Sequence, residues 1–368
     1  MANGPIREIA IVGLGTMGCG IAESALLNGF SLRVVDASED ETSEGIDRVK
    51  ARIARHVTAG LVPPDLLAAM VEVRPGISVE DACRDAELVI EAVPEDWAIK
   101  EVTVALISAA RPGIIATNTS SFPIERLAPH VEEPGAFLGV HFFNPAEWVP
   151  GVEVVPGPAT RPEVIEQVFE VLRSLGKVPV LVKSSPGFLA NRLQLALFIE
   201  CLRCLEEGLA TADEIDAVVS STFGFRLPVF GPFMIADMAG LDVYASILDS
   251  LEQRFGDRFA GALALRSLVA TGAYGMKTGP GFSPVQRRRL SRIPRKKGPR
   301  LQAAASGARL RRLTRSKIDD SFARATACRA VKECQVTSGL IMLRSVVRFH
   351  LEPACLFRQR SVCIGDPR

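Results

Sequence analysis

A histidine and a glutamate twelve residues apart have the side chains and the placement for proton transfer. His141 lies in an apolar, β-branched segment at residues 138–142, and Glu153 lies in the next such segment, at residues 152–155. Prolines in the intervening residues favour a loop there. If the two segments are adjacent strands, the carboxylate can fix the tautomer of the imidazole and stabilise its protonated form. The pair is therefore a candidate general base with its orienting partner.

Taken singly, each member of this pair has a more ordinary interpretation. A histidine at the end of a strand is more often structural than catalytic, and a glutamate within a strand more often faces solvent. The other histidines are weaker candidates still. His56 lies in a basic helical segment and His130 follows Pro129 in a predicted loop, so we expect both to be solvated. The pair indicates a particular reaction only if a site for a hydride acceptor lies beside it.

Such a site is predicted near the start of the chain. Gly13, Gly15 and Gly18 follow a short apolar strand and open a helical segment, a spacing that suits a tight turn against a pyrophosphate. Asp36 lies eighteen residues after Gly18, where its carboxylate can accept hydrogen bonds from the ribose hydroxyls of adenosine. Because a carboxylate there repels a 2′-phosphate, the pattern predicts NAD and not NADP. A glycine turn in some other α/β fold is the alternative.

Short apolar segments alternate with helical ones up to residue 184 and then stop. This alternation predicts a doubly wound, parallel α/β sheet of the Rossmann type for residues 1–184. From residue 185 to 284 the apolar period is helical, which predicts an all-α second domain. The predicted strands are residues 9–12, 32–35, 88–93, 114–117, 138–142, 152–155 and 178–182. The predicted helices include residues 17–27, 44–55, 100–110, 163–175, 188–207, 212–221 and 235–252.

Composition and length favour a cytoplasmic protein. The segment before the first predicted strand is too short for a secretory leader, and no apolar run is long enough to cross a membrane. Eight scattered cysteines suit a reducing compartment. Cys201 and Cys204 have CxxC spacing, but they lie within a predicted helix and have no second ligand pair. The sequence therefore predicts no metal.

Residues 285–368 form an atypical basic tail. They contain 21 Lys and Arg against 5 Asp and Glu, whereas residues 1–284 contain 22 against 37. No amphipathic period or capping pattern organises this tail, and it holds half of the cysteines. One hypothesis is a frameshifted or otherwise foreign carboxyl terminus. The other is a disordered basic arm that binds nucleic acid or an acidic partner through counterion release.

Five segments resemble, in order and approximate spacing, the L-3-hydroxyacyl-CoA dehydrogenase family, and the resemblance covers residues 6–282. They are Ile90-Glu-Ala-Val-Pro-Glu95, Thr117-Asn-Thr-Ser-Ser121, His141-Phe-Phe-Asn-Pro145, Ser185-Pro-Gly-Phe-Leu-Ala-Asn-Arg192 and Lys277-Thr-Gly-Pro-Gly-Phe282. The resemblance implies NAD-linked oxidation of an L-3-hydroxyacyl-CoA to the 3-ketoacyl-CoA by a homodimer.

The resemblance also implies roles for single residues. His141 would take the proton of the 3-hydroxyl as hydride leaves C3 for the nicotinamide, and Glu153 would orient His141. Ser120 and Asn191 would hold the substrate oxygens, although each residue alone is more often a helix cap or turn former. The implied contacts to NAD are Gly13, Gly15, Thr16, Met17, Gly18, Asp36, Glu95, Lys100, Asn144 and Lys277.

The substrate stays open, because two family lysines are missing. Members that act on acyl-CoA carry Lys a few residues before the dyad glutamate, where this chain has Pro150, and residues 57–63 contain no Lys. Relatives that oxidise small free acids, such as the carnitine, gulonate and pyridine-carboxylate dehydrogenases, resemble this chain at the first position. A small hydroxy acid is therefore the alternative substrate. Four basic residues could still receive CoA phosphates or simply form a solvated helix face: Arg48, Lys50, Arg52 and Arg55.

A third hypothesis is a non-catalytic dinucleotide-binding protein, as lens crystallins of the wider group show. The presence of His141, Glu153 and Asn191 together argues against it.

Overall fold

The structure is a computed structural model that describes residues 6–60 and 73–282. The basic tail lies outside the described residues, so both hypotheses on it stay predictions. Within the described part, no helix is long and apolar enough to span a membrane. The chain forms two compact units that divide between Leu195 and Ala196. The domain boundaries predicted from the sequence stay predictions.

The first unit is an eight-stranded sheet with helices on both faces, in the order β3-β2-β1-β4-β5-β6-β7-β8. Its strands are β1 (Glu8–Val12), β2 (Ser31–Val35), β3 (Val73–Pro75), β4 (Leu88–Glu91), β5 (Ile114–Thr117), β6 (Phe137–Phe142), β7 (Gly151–Pro156) and β8 (Val178–Leu181). Its helices are α1 (Thr16–Leu27), α2 (Glu39–Thr58), α3 (Val79–Cys83), α4 (Trp97–Ala109), α5 (Ile124–Leu127) and α6 (Pro162–Ser174). The strand order reverses between β1 and β4, and ligands of such sheets bind at this switch point. The predicted Rossmann-type architecture is confirmed.

Side chains of β1 show why both faces of the sheet are covered. Ile9 and Ile11 pack in one apolar cluster, whereas Ala10 and Val12 pack in another on the opposite face. Successive residues of a strand point to opposite faces, so an uninterrupted apolar strand needs helices on both sides. This continuous run is the sequence signal that predicted the strand.

One strand pair departs from the expected parallel sheet. Strands β6 and β7 are antiparallel, while the other neighbouring strands are parallel. Only residues 143–150 connect β6 to β7, and a crossover between parallel neighbours needs a longer connection. In the resulting register His141 lies directly opposite Glu153.

The second unit is helical throughout its described residues. Helix α7 (Ala190–Glu206) begins in the first unit, and α8 (Ala212–Ser221), α9 (Phe223–Arg226), α10 (Pro232–Ala239), α11 (Leu241–Phe255) and α12 (Leu263–Ala270) follow. Its buried apolar cluster is small and centres on Ala236, Leu241 and Leu265. Many large apolar side chains of this unit are exposed, among them Phe198, Phe225, Val229, Phe233 and Ile247.

Candidate active site

The histidine and the glutamate form a buried pair on adjacent strands. His141 Nδ1 lies 2.8 Å from Glu153 Oε2, and both residues are 5% exposed. Glu153 Oε1 accepts hydrogen bonds from the backbone N–H groups of Leu189 (3.0 Å) and Ala190 (2.8 Å), where α7 begins. The positive end of the helix dipole therefore stabilises this carboxylate. Since Nδ1 is held by the carboxylate, Nε2 is the ring nitrogen available for proton exchange.

His141 lies in the wall of a cleft at the edge of the sheet where its parallel strands end. The cleft has a volume of about 610 Å³. Predicted site residues that line it are Gly13, Gly15, Thr16, Met17, Asp36, Glu95, Ser120, His141, Asn144 and Asn191. The other lining residues are Ala92, Val93, Pro94, Asn118, Phe142 and Phe143. The structure thus brings a glycine turn, a carboxylate after β2 and a buried histidine to one cleft.

Gly13 and Gly15 line one end of this cleft, and Gly18 packs against Gly13. Gly13 has φ +94°, and a Cβ atom there would lie 2.8 Å from the backbone of Ala92. A Cβ at Gly18 would lie 1.8 Å from the carbonyl oxygen of Gly13. A Cβ at Gly15 would meet nothing within 4 Å. Gly13 and Gly18 are therefore required by packing, whereas Gly15 keeps the approach to the start of α1 open.

These contacts make Gly15 and Gly18 a matched pair for mutation. We expect Gly18→Ala to destabilise the fold by about 2 kcal/mol or more, because the added atom overlaps the preceding turn. Gly15→Ala is expected to unfold at the wild-type temperature but to bind NAD at least tenfold more weakly, because its methyl group occupies the space of the pyrophosphate. Thermal unfolding and calorimetric titration with NAD measure the two effects. Equal affinity of Gly15→Ala and wild type would contradict this assignment.

Asp36 is held at the same end of the cleft. Its Oδ2 accepts a hydrogen bond from the N–H of Leu14 (2.7 Å), and its Oδ1 accepts one from the N–H of Ala37 (2.8 Å). Each oxygen keeps a further lone pair for a ribose hydroxyl. The side chain of Asp36 and the uncovered start of α1 together fit the adenosine and pyrophosphate of NAD.

Glu95 lies further along the cleft and is tightly hydrogen-bonded. Its Oε1 accepts from the hydroxyls of Thr119 and Ser121 (both 2.7 Å) and from the N–H groups of Ser120 (3.0 Å) and Ser121 (2.8 Å). Burial alone would raise the pKa of Glu95, but the hydrogen bonds from Ser121 and Thr119 and the charge of Lys100 hold that pKa below its usual value. Glu95 is therefore a carboxylate at neutral pH.

Ser120 and Asn191 meet beside this carboxylate. Asn191 Nδ2 donates to the backbone carbonyl of Ser120 (3.2 Å), and the hydroxyl of Ser120 donates to Glu95 Oε1 (3.3 Å). Asn118 was not among the predicted site residues, yet it lines the cleft and its Oδ1 accepts from the N–H of Phe142 (2.9 Å). Its position directly after a buried strand was the signal that could have identified it.

Comparisons with known proteins agree with this arrangement. Residues 8–185 match the family description "3-hydroxyacyl-CoA dehydrogenase, NAD binding domain", and residues 187–284 match "3-hydroxyacyl-CoA dehydrogenase, C-terminal domain". The chain belongs to the 3-hydroxyacyl-CoA dehydrogenase family. It is an NAD-dependent oxidoreductase.

Several relatives of this enzyme cover most of the described chain. This chain is 34% identical over 283 residues to a probable 3-hydroxybutyryl-CoA dehydrogenase of Bacillus subtilis. The match covers 75% of this chain and 96% of the relative. The chain is 34% identical over 295 residues to the 5-formyl-3-hydroxy-2-methylpyridine 4-carboxylate 5-dehydrogenase of Mesorhizobium japonicum (77% and 94%). The solved (S)-3-hydroxybutyryl-CoA dehydrogenase of Ralstonia eutropha is 34% identical, with a TM-score of 0.57 over 75% of this chain and 98% of that one.

Lys100, predicted as a contact to NAD, is not in the wall of the cleft. Its Nζ is buried, 2.8 Å from Glu91 Oε1 and 3.4 Å from Glu95 Oε2. Glu91 also accepts from the hydroxyl of Thr117 (2.6 Å) and from the N–H of Val93 (2.8 Å). Lys100 therefore ties Glu91 to Glu95, and its role towards NAD stays a prediction.

Lys277 lies in the second unit, where its Nζ binds both carboxylate oxygens of Asp242 (2.7 and 2.8 Å). The rest of its motif folds around Asp237, whose Oδ1 accepts from the N–H of Phe282 (3.0 Å). A Cβ at Gly281 would lie 2.2 Å from that oxygen, so the glycine is required by packing. The role of Lys277 towards NAD stays a prediction.

The expectation that His56 is solvated was wrong. Its side chain is 13% exposed and its Nε2 hydrogen-bonds to the buried carboxylate of Glu23. Arg52 joins Glu23 (3.3 Å) to Glu147 (2.8 Å), a residue of the loop at 143–150. Since its guanidinium is already paired twice, Arg52 is a poor candidate for a CoA phosphate site.

Lys177 holds the same loop. Its Nζ donates to the carbonyl oxygens of Ala146 (2.5 Å), Glu147 (3.2 Å) and Val149 (3.1 Å). Burial lowers the pKa of Lys177 to about 8, although the charges of Glu147 and Glu23 oppose the shift. The loop carries Asn144 and Phe143 to the cleft, so its far side is fixed by a buried lysine.

The lowered pKa of Lys177 predicts a pH dependence of stability. Between pH 8 and pH 10.5 the unfolded chain keeps a proton that the folded enzyme has released, so the lysine's contribution to stability rises with pH across this window and is lost below it. Lys177→Met lacks the effect. From pH 7.5 to 10 the wild type is expected to gain about 2 kcal/mol relative to the variant, measured by urea unfolding. A difference independent of pH would contradict the assignment.

Proposed function

We propose that the enzyme oxidises the 3-hydroxyl of an L-3-hydroxyacyl-CoA to the 3-ketoacyl-CoA and passes the hydride to NAD. The observation that carries the proposal is the buried pair of His141 and Glu153 in the wall of the cleft that also contains Asp36 and the glycine turn. Relatives named 3-hydroxybutyryl-CoA dehydrogenase support the choice of substrate. A cleft that held only the dinucleotide features would support binding but not proton transfer.

Bound NAD supplies the hydride acceptor. His141 Nε2 takes the hydroxyl proton as the C3–H bond breaks, and Glu153 keeps the other ring nitrogen protonated and stabilises the imidazolium. The N–H groups at the start of α7 hold Glu153 in place, so the imidazole is oriented before the substrate arrives. To Ser120 and Asn191, which lie together in the wall of the cleft, we assign the task of holding the reacting oxygen.

A small free hydroxy acid is the second candidate substrate. Pro150 stands where acyl-CoA members resembling this chain carry Lys, and Arg52 is paired with two carboxylates. The relative from Mesorhizobium japonicum, named for a pyridine carboxylate, points the same way. Both candidates use the same dyad and the same cofactor.

A panel of substrates separates the two candidates. NADH formation by the full chain is measured with L-3-hydroxybutyryl-CoA and, in parallel, with free L-3-hydroxybutyrate, L-carnitine and L-gulonate. The proposal predicts turnover of the CoA ester, with kcat/KM at least about 100-fold higher than for any free acid. Turnover restricted to a free acid would reject the acyl-CoA assignment and keep the dehydrogenase.

We also propose that the enzyme is a homodimer that forms through the second unit. The many large apolar side chains that are exposed in that unit support this, because large contiguous apolar patches are rare on soluble monomers and mark interaction surfaces. A cytoplasmic location belongs to the same proposal, and the described cysteines are free thiols, as a reducing compartment requires.

Substitution of Phe225 tests the dimer. Phe225 is 71% exposed, so Phe225→Asp is expected to halve the mass measured by light scattering while leaving the helical signal unchanged. Ile77, 78% exposed in the first unit, provides the matched control, and Ile77→Asp is expected to keep the wild-type mass. A monomeric wild type, or a Phe225→Asp protein of undiminished mass, would contradict the proposed interface.

A further inference from the structure

The charge of the cleft is unbalanced. Among the described residues that line it, two are acidic, Asp36 and Glu95, and none is a lysine or an arginine. Asp36 has a place in adenosine binding. Glu95 is an implied contact to NAD, but the proposed reaction gives no task to its negative charge. We therefore ask which positively charged group this carboxylate stabilises.

The carboxylate of Glu95 is held in a fixed position by hydrogen bonds. Hydroxyl and N–H donors of residues 119–121 converge on its Oε1, so the carboxylate cannot turn away. Among the described residues, the cation paired with Glu95 is Lys100, whose Nζ is closer to Glu91 (2.8 Å) than to Glu95 (3.4 Å). Two carboxylates therefore share one ammonium group, and the cluster keeps a net negative charge. Glu91 and Lys100 are buried, whereas the side chain of Glu95 is 32% exposed in the cleft.

Hydrogen bonds join Glu95 to the residues assigned to the reacting oxygen. The hydroxyl of Ser120 donates to Glu95 Oε1 (3.3 Å), and Asn191 Nδ2 donates to the carbonyl oxygen of Ser120 (3.2 Å). Asp36 follows β2, Glu95 follows β4 and His141 lies in β6, in the sheet order β2-β1-β4-β5-β6. Neighbouring strands are about 4.8 Å apart, so β4 is roughly 10 Å from β6 and β2 is roughly 19 Å from it. By strand order β4 is midway between Asp36 and His141, and the contact with Ser120, which follows β5, puts Glu95 on the His141 side, where the nicotinamide of a bound NAD would lie.

We propose that Glu95 sets the relative affinity of the enzyme for the two redox states of its cofactor, in favour of NAD⁺. The nicotinamide ring is positively charged in NAD⁺ and neutral in NADH, while the adenosine and pyrophosphate are the same in both. A fixed carboxylate beside the ring attracts only the oxidised form, so it favours binding of NAD⁺ and release of NADH. At a separation of about 7 Å in a partly solvated cleft, this attraction amounts to about a fivefold change in affinity.

Glu95→Gln tests the inference because the amide keeps a hydrogen-bond acceptor and removes the charge. Dissociation constants of the full chain for NAD⁺, NADH and ADP-ribose are measured by isothermal titration calorimetry. We expect Glu95→Gln to weaken NAD⁺ about fivefold and to leave NADH and ADP-ribose within about twofold of wild type. Glu95→Asp, which keeps the charge, is expected to retain most of the wild-type preference. Asp36→Asn is the matched control, and it is expected to weaken all three ligands equally.

The same measurements separate this inference from the proposed function on which it rests. An unchanged ratio of the NAD⁺ and NADH constants in Glu95→Gln would overturn the inference and leave the dehydrogenase intact. An equal loss for all three ligands would also overturn it, because the role of Glu95 would then be to shape the cleft. Failure of the wild type to bind any of the three would reject the cofactor site itself.

Discussion

Replacing Glu153 with glutamine is expected to lower kcat by about 10³-fold while leaving the affinity for NAD unchanged. The amide oxygen would still accept from the N–H groups of Leu189 and Ala190, because the opposite rotamer places NH₂ against two donors. The amide NH₂ then faces His141 Nδ1, which must accept and not donate. The proton of the imidazole moves to Nε2, so the ring can no longer accept the substrate proton.

This prediction is checked by steady-state kinetics together with NAD titration. Glu153→Asp is the control, since it keeps the charge with a shorter side chain and is expected to retain more activity than the isosteric amide. Activity of Glu153→Gln within tenfold of wild type would show that the tautomer of His141 does not matter, and would contradict the assigned dyad.

Replacing His141 with alanine is expected to lower kcat by about 10³- to 10⁴-fold, because no other described histidine lines the cleft. NAD affinity is expected to stay within about twofold of wild type, since the glycine turn and Asp36 are untouched. His130→Ala provides a matched control, because the contacts of His130 are with other residues: its Nε2 lies 3.9 Å from Glu101 Oε2, and its ring packs against the ring of Trp97. Comparable losses in the two variants would remove His141 from the reaction.

The sequence was sufficient for the features that depend on local pattern. The glycine turn and Asp36 follow from spacing along the chain, and the uninterrupted apolar run of β1 follows from burial on both faces. The pairing of His141 with Glu153 was also foreseen, because a short loop between two apolar segments makes them neighbours. The antiparallel direction of β6 and β7 was not predicted, although residues 143–150 are too few for a crossover between parallel strands.

Contacts between segments far apart in the chain were not readable. Arg52 and His56 were expected to belong to a solvated basic helix face. Instead, Arg52 pairs with Glu23 and Glu147, and His56 pairs with Glu23, and both partners are distant in sequence. Lys100 has the charge expected of a residue that binds an anionic ligand. Its ammonium group is paired with Glu91, and the sequence around Lys100 does not show that Glu91, on a buried strand, lies next to it. Charged side chains are placed by partners from other elements, whereas apolar periodicity is local.

The proposed reaction depends on transfer of hydrogen from C3 of the substrate to the cofactor. The most direct test uses L-3-hydroxybutyryl-CoA deuterated at C3 with wild-type enzyme and NAD, and analyses the reduced cofactor by mass spectrometry. We expect NADH that carries the deuterium, together with 3-ketobutyryl-CoA that has lost it. Reduced cofactor without deuterium, or deuterium retained in the CoA product after full conversion, would contradict the proposed reaction.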